Sequence, residues 1–209
     1  MNVQIESYQP TVRYLSEHDY CIVHALMREF TDCRNERTND EIWFVQHEPV
    51  FTLGRKGNKD NLLINSDIPL VHSDRGGDVT YHGPGQLIVY CLMDLERLHL
   101  GVKSLVHGLE QIVIQYLSEF NVQGQRIKSA PGVYVQGDKL ASLGLRVRRG
   151  CSFHGLAINV DMDMKPFTYI NPCGLEGMKT TQLSQLGINE NCNEVASKVE
   201  KLIIKQFYS

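Results

Sequence analysis

The chain has 209 residues, of which 42% are hydrophobic and 22% are charged, an ordinary composition for a globular protein. Its formal net charge of −3 gives no overall basic surface for binding nucleic acid. No apolar run approaches the roughly 20 residues that span a bilayer, and the six scattered cysteines form no CxxC pair, which argues against a zinc knuckle and a small disulfide scaffold.

The N-terminal residues contain neither the apolar core nor the cleavage site of a secretory signal. We therefore expect a cytoplasmic protein with reduced thiols, in which a functional cysteine would act through the reactivity of its thiol. No repeat, low-complexity tract or linker divides the sequence, and we expect one domain over residues 1–209 with neither nucleic acid nor a membrane as partner.

The first half is predicted to contain one helix and three strands. Apolar residues at three-and-four spacing over residues 15–34 favour an amphipathic helix. Ile42–Val45 is predicted to be a strand, and Pro49 separates it from a second apolar run that ends at Gly54. The unbroken apolar run LIVYCLM at 87–93 is typical of a strand that is covered on both faces.

Two further helices are predicted from the period of their apolar residues. Residues 102–120 place one apolar stripe along the predicted helix and give the clearest helix of the sequence. Residues 193–208 show a second stripe, with Asn193 as the predicted N-cap.

Three neighbouring strands are predicted between these helices. The turn Gln136–Lys139 separates the apolar run Val133–Val135 from an alternating run that extends through Val147. A third run, Leu156–Val160, follows a bend that contains glycine. Together the elements predict a mixed α/β (α+β) domain in which helices pack on a mainly antiparallel sheet.

The stretch RGGDVTYHGPGQ at 75–86 is a first candidate site. Because Gly76 and Gly77 carry no Cβ, the backbone there could approach a ligand closely. Hydrogen-bonding side chains surround them: Arg75, Thr80, Tyr81, His82 and Gln86. The equally weighted alternative is a long turn whose polar side chains cap their own backbone. No Lys-Ser/Thr follows the glycines, so this is not a phosphate loop.

Two cysteines are candidate nucleophiles. Cys173 stands in the turn-forming context INPCGLEG, which favours an exposed loop over the usual buried position of a free cysteine. Cys151 follows a cluster of arginines and precedes His154 by three residues, and positive neighbours lower a thiol pKa. These observations do not separate the two cysteines.

Lys139 in GDKLASLG is a third candidate. A lysine directly after a turn is ordinarily exposed to solvent. If the strand that follows lines a pocket, however, the ammonium group would point into that pocket, where it could stabilise a thiolate or carry a proton.

Four blocks of the sequence, taken in order, resemble the octanoyltransferases of lipoate biosynthesis. They are VQHEPVFTLGRKG (45–57), RGGDVTYHGPGQLIVY (75–90), GDKLASLGLRVRRGCSFHGLAINVDMD (137–163) and INPCGLEGMKTTQL (170–183). The resemblance implies the fold of the lipoate and biotin protein ligases. It also implies transfer of an octanoyl group from octanoyl-acyl carrier protein to a lysine of lipoyl domains, in 2-oxoacid dehydrogenase complexes and in the glycine-cleavage H protein.

The resemblance also implies roles for individual residues. Cys173 would carry the acyl group as a thioester, and Lys139 would adjust the pKa of the thiol and transfer protons. Neither a cofactor nor a metal would be needed. The implied substrate-binding positions are Arg75, Gly76, Gly77, Asp78, Val79, Thr80, Tyr81, His82, Ser142, Leu143, Gly144, Gly155, Leu156 and Ala157.

Three other functions remain as alternatives. An ATP-dependent lipoate or biotin protein ligase would share the fold but would need no nucleophilic cysteine. A non-catalytic module that binds carrier protein would leave the thiol without a role. A cysteine hydrolase would use Cys151 and His154. The basic cluster RVRRG at 146–150 is either part of a docking site for an acidic carrier or a solvated surface.

Overall fold

The computed structural model describes residues 8–128, 130–171 and 177–209. The strands in chain order are β1 (Thr11–Tyr14), β2 (Glu41–Val45), β3 (Val50–Leu53), β4 (Leu70–His72), β5 (Val79–His82), β6 (Gln86–Leu92), β7 (Gln125–Ile127), β8 (Ala130–Val135), β9 (Asp138–Arg148) and β10 (Cys151–Asn159). The α-helices in these ranges are α1 (Tyr20–Cys33), α2 (Val102–Ser118) and α3 (Cys192–Phe207).

A seven-stranded sheet forms the centre of the fold, in the order β1-β2-β6-β10-β9-β8-β7. All of its pairings are antiparallel except that of β1 with β2. The predicted meander is present as the neighbouring strands β8, β9 and β10. A second, three-stranded sheet has the order β4-β3-β5. The prediction of a mixed α/β fold with a mainly antiparallel sheet is confirmed.

Helices cover both faces of the central sheet, and β6 shows why its sequence has no polar alternation. Leu87, Val89 and Cys91 pack into the core cluster that contains the buried faces of α2 and α3. The intervening Ile88 and Tyr90 pack into a second cluster with residues of α1. None of the α-helices in the described ranges combines the length and apolar character that a bilayer span requires.

Two predicted helix starts are wrong, for reasons of capping. Helix α3 is capped by Asn191 rather than Asn193, because Glu194 stands three residues after Asn191 and completes a capping box. Helix α1 begins at Tyr20 rather than at residue 15, because the Asp19 carboxylate accepts the N–H of the first turn.

Strand β5 lies inside the glycine-rich stretch, where no strand was predicted, and it pairs with β3. Gly85 then returns the chain to the central sheet with φ +82°. Its carbonyl accepts the N–H groups of Val160 and Asp161 at 3.1 and 3.0 Å. This pairing holds the segment from Arg75 to His82 beside β10, where it borders the candidate site.

Candidate active site

A cavity opens between the 75–82 segment, the start of α1 and strands β6, β9 and β10. Its lining combines apolar side chains with hydrogen-bonding groups: Tyr20, Arg75, Gly77, Asp78, Val79, Thr80, His82, Ile88, Tyr90, Lys139, Ser142, Leu143, Gly144, His154, Gly155, Leu156 and Ala157.

The substrate-binding positions proposed from the resemblance converge on this cavity, with two exceptions. Tyr81 points away and packs between Phe51 and Phe167, with ring centroids 5.5 and 5.6 Å apart. Gly76 lies on the far side of its own loop, where its N–H donates to the Leu145 carbonyl at 2.9 Å.

Four lining residues were not anticipated from the sequence as binding residues: Tyr20, Ile88, Tyr90 and His154. Tyr20 and Tyr90 stand in apolar helix and strand patterns, where an aromatic residue is normally part of the core. Their positions become distinctive only when α1 and β6 are packed together. His154 was considered only as a partner of Cys151.

Arg75 fixes the glycine-rich loop to β3. Its Nη2 donates to the Thr52 and Asp78 carbonyls at 2.6 and 2.7 Å, and its Nη1 donates to the Gly76 carbonyl at 2.8 Å. The Nε group donates to the Thr52 hydroxyl at 3.2 Å. Because these bonds engage the guanidinium with the protein's own oxygens, Arg75 shapes the cavity wall.

An ordered chain of hydrogen bonds fixes the tautomer of His82. Gln86 Nε2 donates to Asn159 Oδ1 at 2.9 Å, which leaves the Gln86 Oε1 to accept from His82 Nδ1 at 2.7 Å. The Nε2 of His82 then accepts from the Thr52 hydroxyl at 3.3 Å. Burial lowers the pKa of His82 to about 3, so this ring carries no proton charge at neutral pH.

A His–Asp–His cluster lies beside the cavity. The Nε2 atoms of His24 and His154 lie 2.9 and 2.8 Å from the same Asp74 Oδ1. Burial alone would raise the pKa of Asp74, but hydrogen bonds from the two histidines outweigh it and hold the pKa well below its usual range. The three ligand atoms are close enough for a metal ion, yet two imidazole N–H groups already satisfy the carboxylate.

We expect Asp74→Ala to lower the free energy of unfolding by about 2 kcal/mol, because it leaves the buried His154 without its partner at a backbone φ of +60°. Since folding lowers the pKa of Asp74, its contribution is complete above about pH 4 and is lost as the pH falls toward the lowered value. Urea unfolding at pH 7 and in acid measures both effects.

Asp32→Ala is the matched control, because Asp32 pairs with the exposed Arg148 and Arg149. Its expected cost is below about 1 kcal/mol. Equal losses in the two variants at pH 7 would show that the histidine cluster adds no stability beyond a surface ion pair.

Lys139 is buried near the start of β9, with 2% of its surface exposed. Its Nζ lies 5.5 Å from the centroid of the Tyr134 ring. Space for the side chain exists because Gly132 has no Cβ, which would come within 2.8 Å of the Lys139 Cε. Lys139 is among the residues that line the cavity.

Cys173 lies in 172–176, outside the described residues. The described segment after Cys173, which begins at residue 177, forms two backbone hydrogen bonds with Lys139. The Lys139 N–H donates to the Lys179 carbonyl at 2.9 Å, and the Thr181 N–H donates to the Lys139 carbonyl at 3.0 Å. On the other side, the Asn171 N–H donates to the Asn61 carbonyl at 2.8 Å.

The structure does not support a low thiol pKa at Cys151, the second candidate nucleophile. Burial raises the pKa of this thiol in spite of the positive charges nearby. Arg148 and Arg149 instead pair with Asp32, on α1. The imidazole of His154 is bonded to Asp74, so the proposed cysteine–histidine pair is not formed.

We expect Gly132→Ala to destabilise the fold by more than about 1 kcal/mol, because the residue has φ +148° and its Cβ would lie 2.5 Å from the Ala141 carbonyl. The same Cβ would displace Lys139, so acylation of the enzyme should slow as well. Urea unfolding and the acylation rate test the two parts. Gly101→Ala is the control, since nothing lies within 4 Å of its Cβ. A Gly132 variant that matches the control in both measurements would contradict the packing argument.

Residues 19–204 match a family model described as the lipoyl protein ligase A/B catalytic domain. An octanoyltransferase of Vibrio vulnificus strain YJ016 is 55% identical over 86% of this chain and 82% of the relative. An octanoyltransferase of Xylella fastidiosa strain 9a5c is 50% identical over 94% of this chain and 86% of the relative.

Solved structures give the same fold at low sequence identity. A bipartite lipoate protein ligase of Thermoplasma acidophilum has a TM-score of 0.77 at 12% identity, over 95% of this chain and 83% of that chain. The biotin protein ligase of Aquifex aeolicus in complex with biotin and ATP has a TM-score of 0.58 at 16% identity, over 94% of this chain and 70% of that chain.

The sequence relatives confirm the resemblance to the octanoyltransferases and the assignment as an acyltransferase. The structural neighbours confirm the predicted fold. With a family model over most of its length and relatives at half identity across nearly all of it, this chain belongs to the lipoyl protein ligase A/B catalytic domain family.

Proposed function

We propose that this octanoyltransferase takes its acyl group from octanoyl-acyl carrier protein and passes it to a lysine of lipoyl domains through a thioester on Cys173. The acceptors would be the lipoyl domains of 2-oxoacid dehydrogenase complexes and the glycine-cleavage H protein. The observation that carries the proposal is the buried Lys139, which lines an apolar cavity and is bonded to the segment that follows Cys173.

The octanoyl chain is proposed to occupy the apolar part of this cavity. Ile88 and Ala157 supply aliphatic surface from two adjacent strands, on the sheet face that packs against α1. Each buried methylene stabilises the bound acyl group by about 0.8 kcal/mol, so the depth of the cavity contributes to the selection of chain length.

The thiol of Cys173 is proposed to attack the thioester carbonyl after Lys139 accepts its proton. The tetrahedral intermediate then collapses, and the departing pantetheine thiolate takes the proton back from Lys139. In the second half, the acceptor amine attacks the acyl-enzyme and loses a proton to Lys139, and Cys173 leaves as thiolate. The thioester on Cys173 thus divides one direct transfer between proteins into two steps, exchange of the thioester and then attack by the acceptor amine.

The other basic groups of the described cavity support this role for Lys139. His82 remains neutral because burial lowers its pKa to about 3. Burial also lowers the pKa of His154, whose Nε2 is engaged by Asp74. The guanidinium of Arg75 is bonded to backbone oxygens. Lys139 is thus the cavity group best suited to exchange protons.

The test is a transfer assay with purified protein, octanoyl-acyl carrier protein and an unmodified lipoyl domain, in the absence of ATP. We expect the lipoyl domain to gain the mass of one octanoyl group. A parallel reaction with free octanoate and ATP tests the ligase alternative and should give no product. Product in the second reaction alone would overturn the proposal.

A further inference from the structure

A second groove lies on the other side of the glycine-rich loop. It is lined by Arg55, Lys56, Asp74, Gly76, Gly77, Val102, Leu145, Arg146 and Val147. Gly77 borders both this groove and the acyl cavity. The two sites are therefore separated by little more than the backbone of Gly76 and Gly77.

The groove collects cations that the protein does not neutralise. Within the described ranges, the side chains of Arg55, Lys56 and Arg146 form no hydrogen bond or ion pair with another residue. The two other arginines of the stretch that contains Arg146 behave differently, since Arg148 and Arg149 both pair with Asp32.

The acid in the groove does not neutralise these cations by direct contact. Asp74 accepts from His24 and His154 through the same carboxylate oxygen. A chain of net charge −3 thus presents a local positive groove beside its acyl cavity. Three unpaired cations that border one groove repel one another, and a bound anion relieves this repulsion.

A thin wall of backbone separates the groove from the acyl cavity. Gly77 has φ +86°, and a Cβ on Gly76 would lie only 3.2 Å from the Leu145 carbonyl. The Gly76 N–H donates to that carbonyl at 2.9 Å, so the loop packs directly on β9 at this point.

We propose that this groove binds the phosphate of the phosphopantetheine arm that carries the donor acyl group. The inference rests on the proposed carrier-protein donor. The donor carries an anion at one end of its pantetheine arm and the acyl thioester at the other, so a single donor can reach both the groove and the cavity. The acceptor, by contrast, brings a lysine amine, for which a groove of cations offers no attraction.

The experiment compares two small donors that differ only in this phosphate, octanoyl-phosphopantetheine and octanoyl-pantetheine. The rate constant for acylation of the enzyme, divided by the donor concentration at half saturation, is measured by rapid quench and intact-mass spectrometry. We expect the wild-type protein to favour the phosphorylated donor by about tenfold or more, as one or two charge-assisted hydrogen bonds would give. In Arg55→Gln/Lys56→Gln/Arg146→Gln this ratio should fall toward one.

Arg148→Gln is the matched control, because it removes one charge from the same strand but outside the groove. Its ratio should remain at the wild-type value. If the triple variant does not fold, the single variant Arg146→Gln replaces it. We expect a partial fall in the ratio for this single variant.

Three outcomes would overturn the proposal. One is a wild-type ratio that persists in the groove variants, and another is an equal fall in Arg148→Gln. The third is a loss seen only with intact octanoyl-acyl carrier protein, which would assign the cations to the surface of the carrier. If the wild-type protein accepts acyl groups from none of these donors, the proposed function itself fails, and this inference fails with it.

Discussion

Replacing Cys173 with alanine is expected to abolish the acyl-enzyme and to reduce octanoyl transfer by at least about a thousandfold, because the proposed route has no other nucleophile. The wild-type protein mixed with octanoyl-acyl carrier protein should gain one octanoyl mass that hydroxylamine removes. Intact-mass spectrometry measures the adduct, and the lipoyl-domain assay measures the transfer.

The control must separate Cys173 from other thiols that exchange with thioesters. Cys21 and Cys33 are exposed on α1 and are therefore best replaced by serine in every protein compared. Cys151→Ala on that background should retain the adduct, since burial raises the pKa of the Cys151 thiol. An octanoyl adduct that persists in Cys173→Ala would assign the nucleophile elsewhere.

The larger elements were predictable because their apolar periods are long and unambiguous. Helix α2 begins at Val102, as predicted, and the run at 87–93 is a strand covered on both faces. The shortest strands, β4 and β7, have three residues each, which is too few for a period to show. Their existence depends on pairing with distant strands, which no local pattern contains.

The candidate site was also predictable only in part. Motif resemblance brought together segments 75–82, 142–144 and 155–157, and the fold places nearly all of them around one cavity. It could not supply Tyr20 or Tyr90, because an aromatic residue in an apolar pattern is indistinguishable from a core residue. Nor could it predict that Arg75 would donate its hydrogen bonds to β3 and to its own loop.

The fate of Cys151 shows why charge in the sequence is a weak guide to charge in space. Three arginines precede this cysteine in the chain, and two of them turn toward Asp32 on α1. Burial outweighs the positive charges that remain near the thiol and raises its pKa. Sequence neighbours on a strand point to alternate faces, so an electropositive sequence does not produce an electropositive site.

Replacing Lys139 with methionine is expected to preserve the fold and to slow both halves of the transfer. Methionine is close in length to lysine, fills the space beside Gly132 and removes an amine whose burial is nearly complete. Without the amine, the Cys173 thiol loses its proton acceptor, and alkylation by iodoacetamide at pH 7 should fall by about tenfold or more. Alkylation measured from pH 5 to 10 should show the midpoint of the variant moved upward, toward the value of about 8.5 for an ordinary cysteine.

Lys179→Met is the matched control for this measurement. Its backbone carbonyl accepts the Lys139 N–H, but its own side chain is exposed, so the variant removes a nearby amine without touching the cavity. The control should follow the wild-type alkylation profile. A general weakening of the fold would slow transfer but would not move the alkylation midpoint, whereas loss of the proton acceptor moves both. Coincident profiles for Lys139→Met and the wild-type protein at every pH would therefore remove Lys139 from the mechanism, whatever happened to the transfer rate.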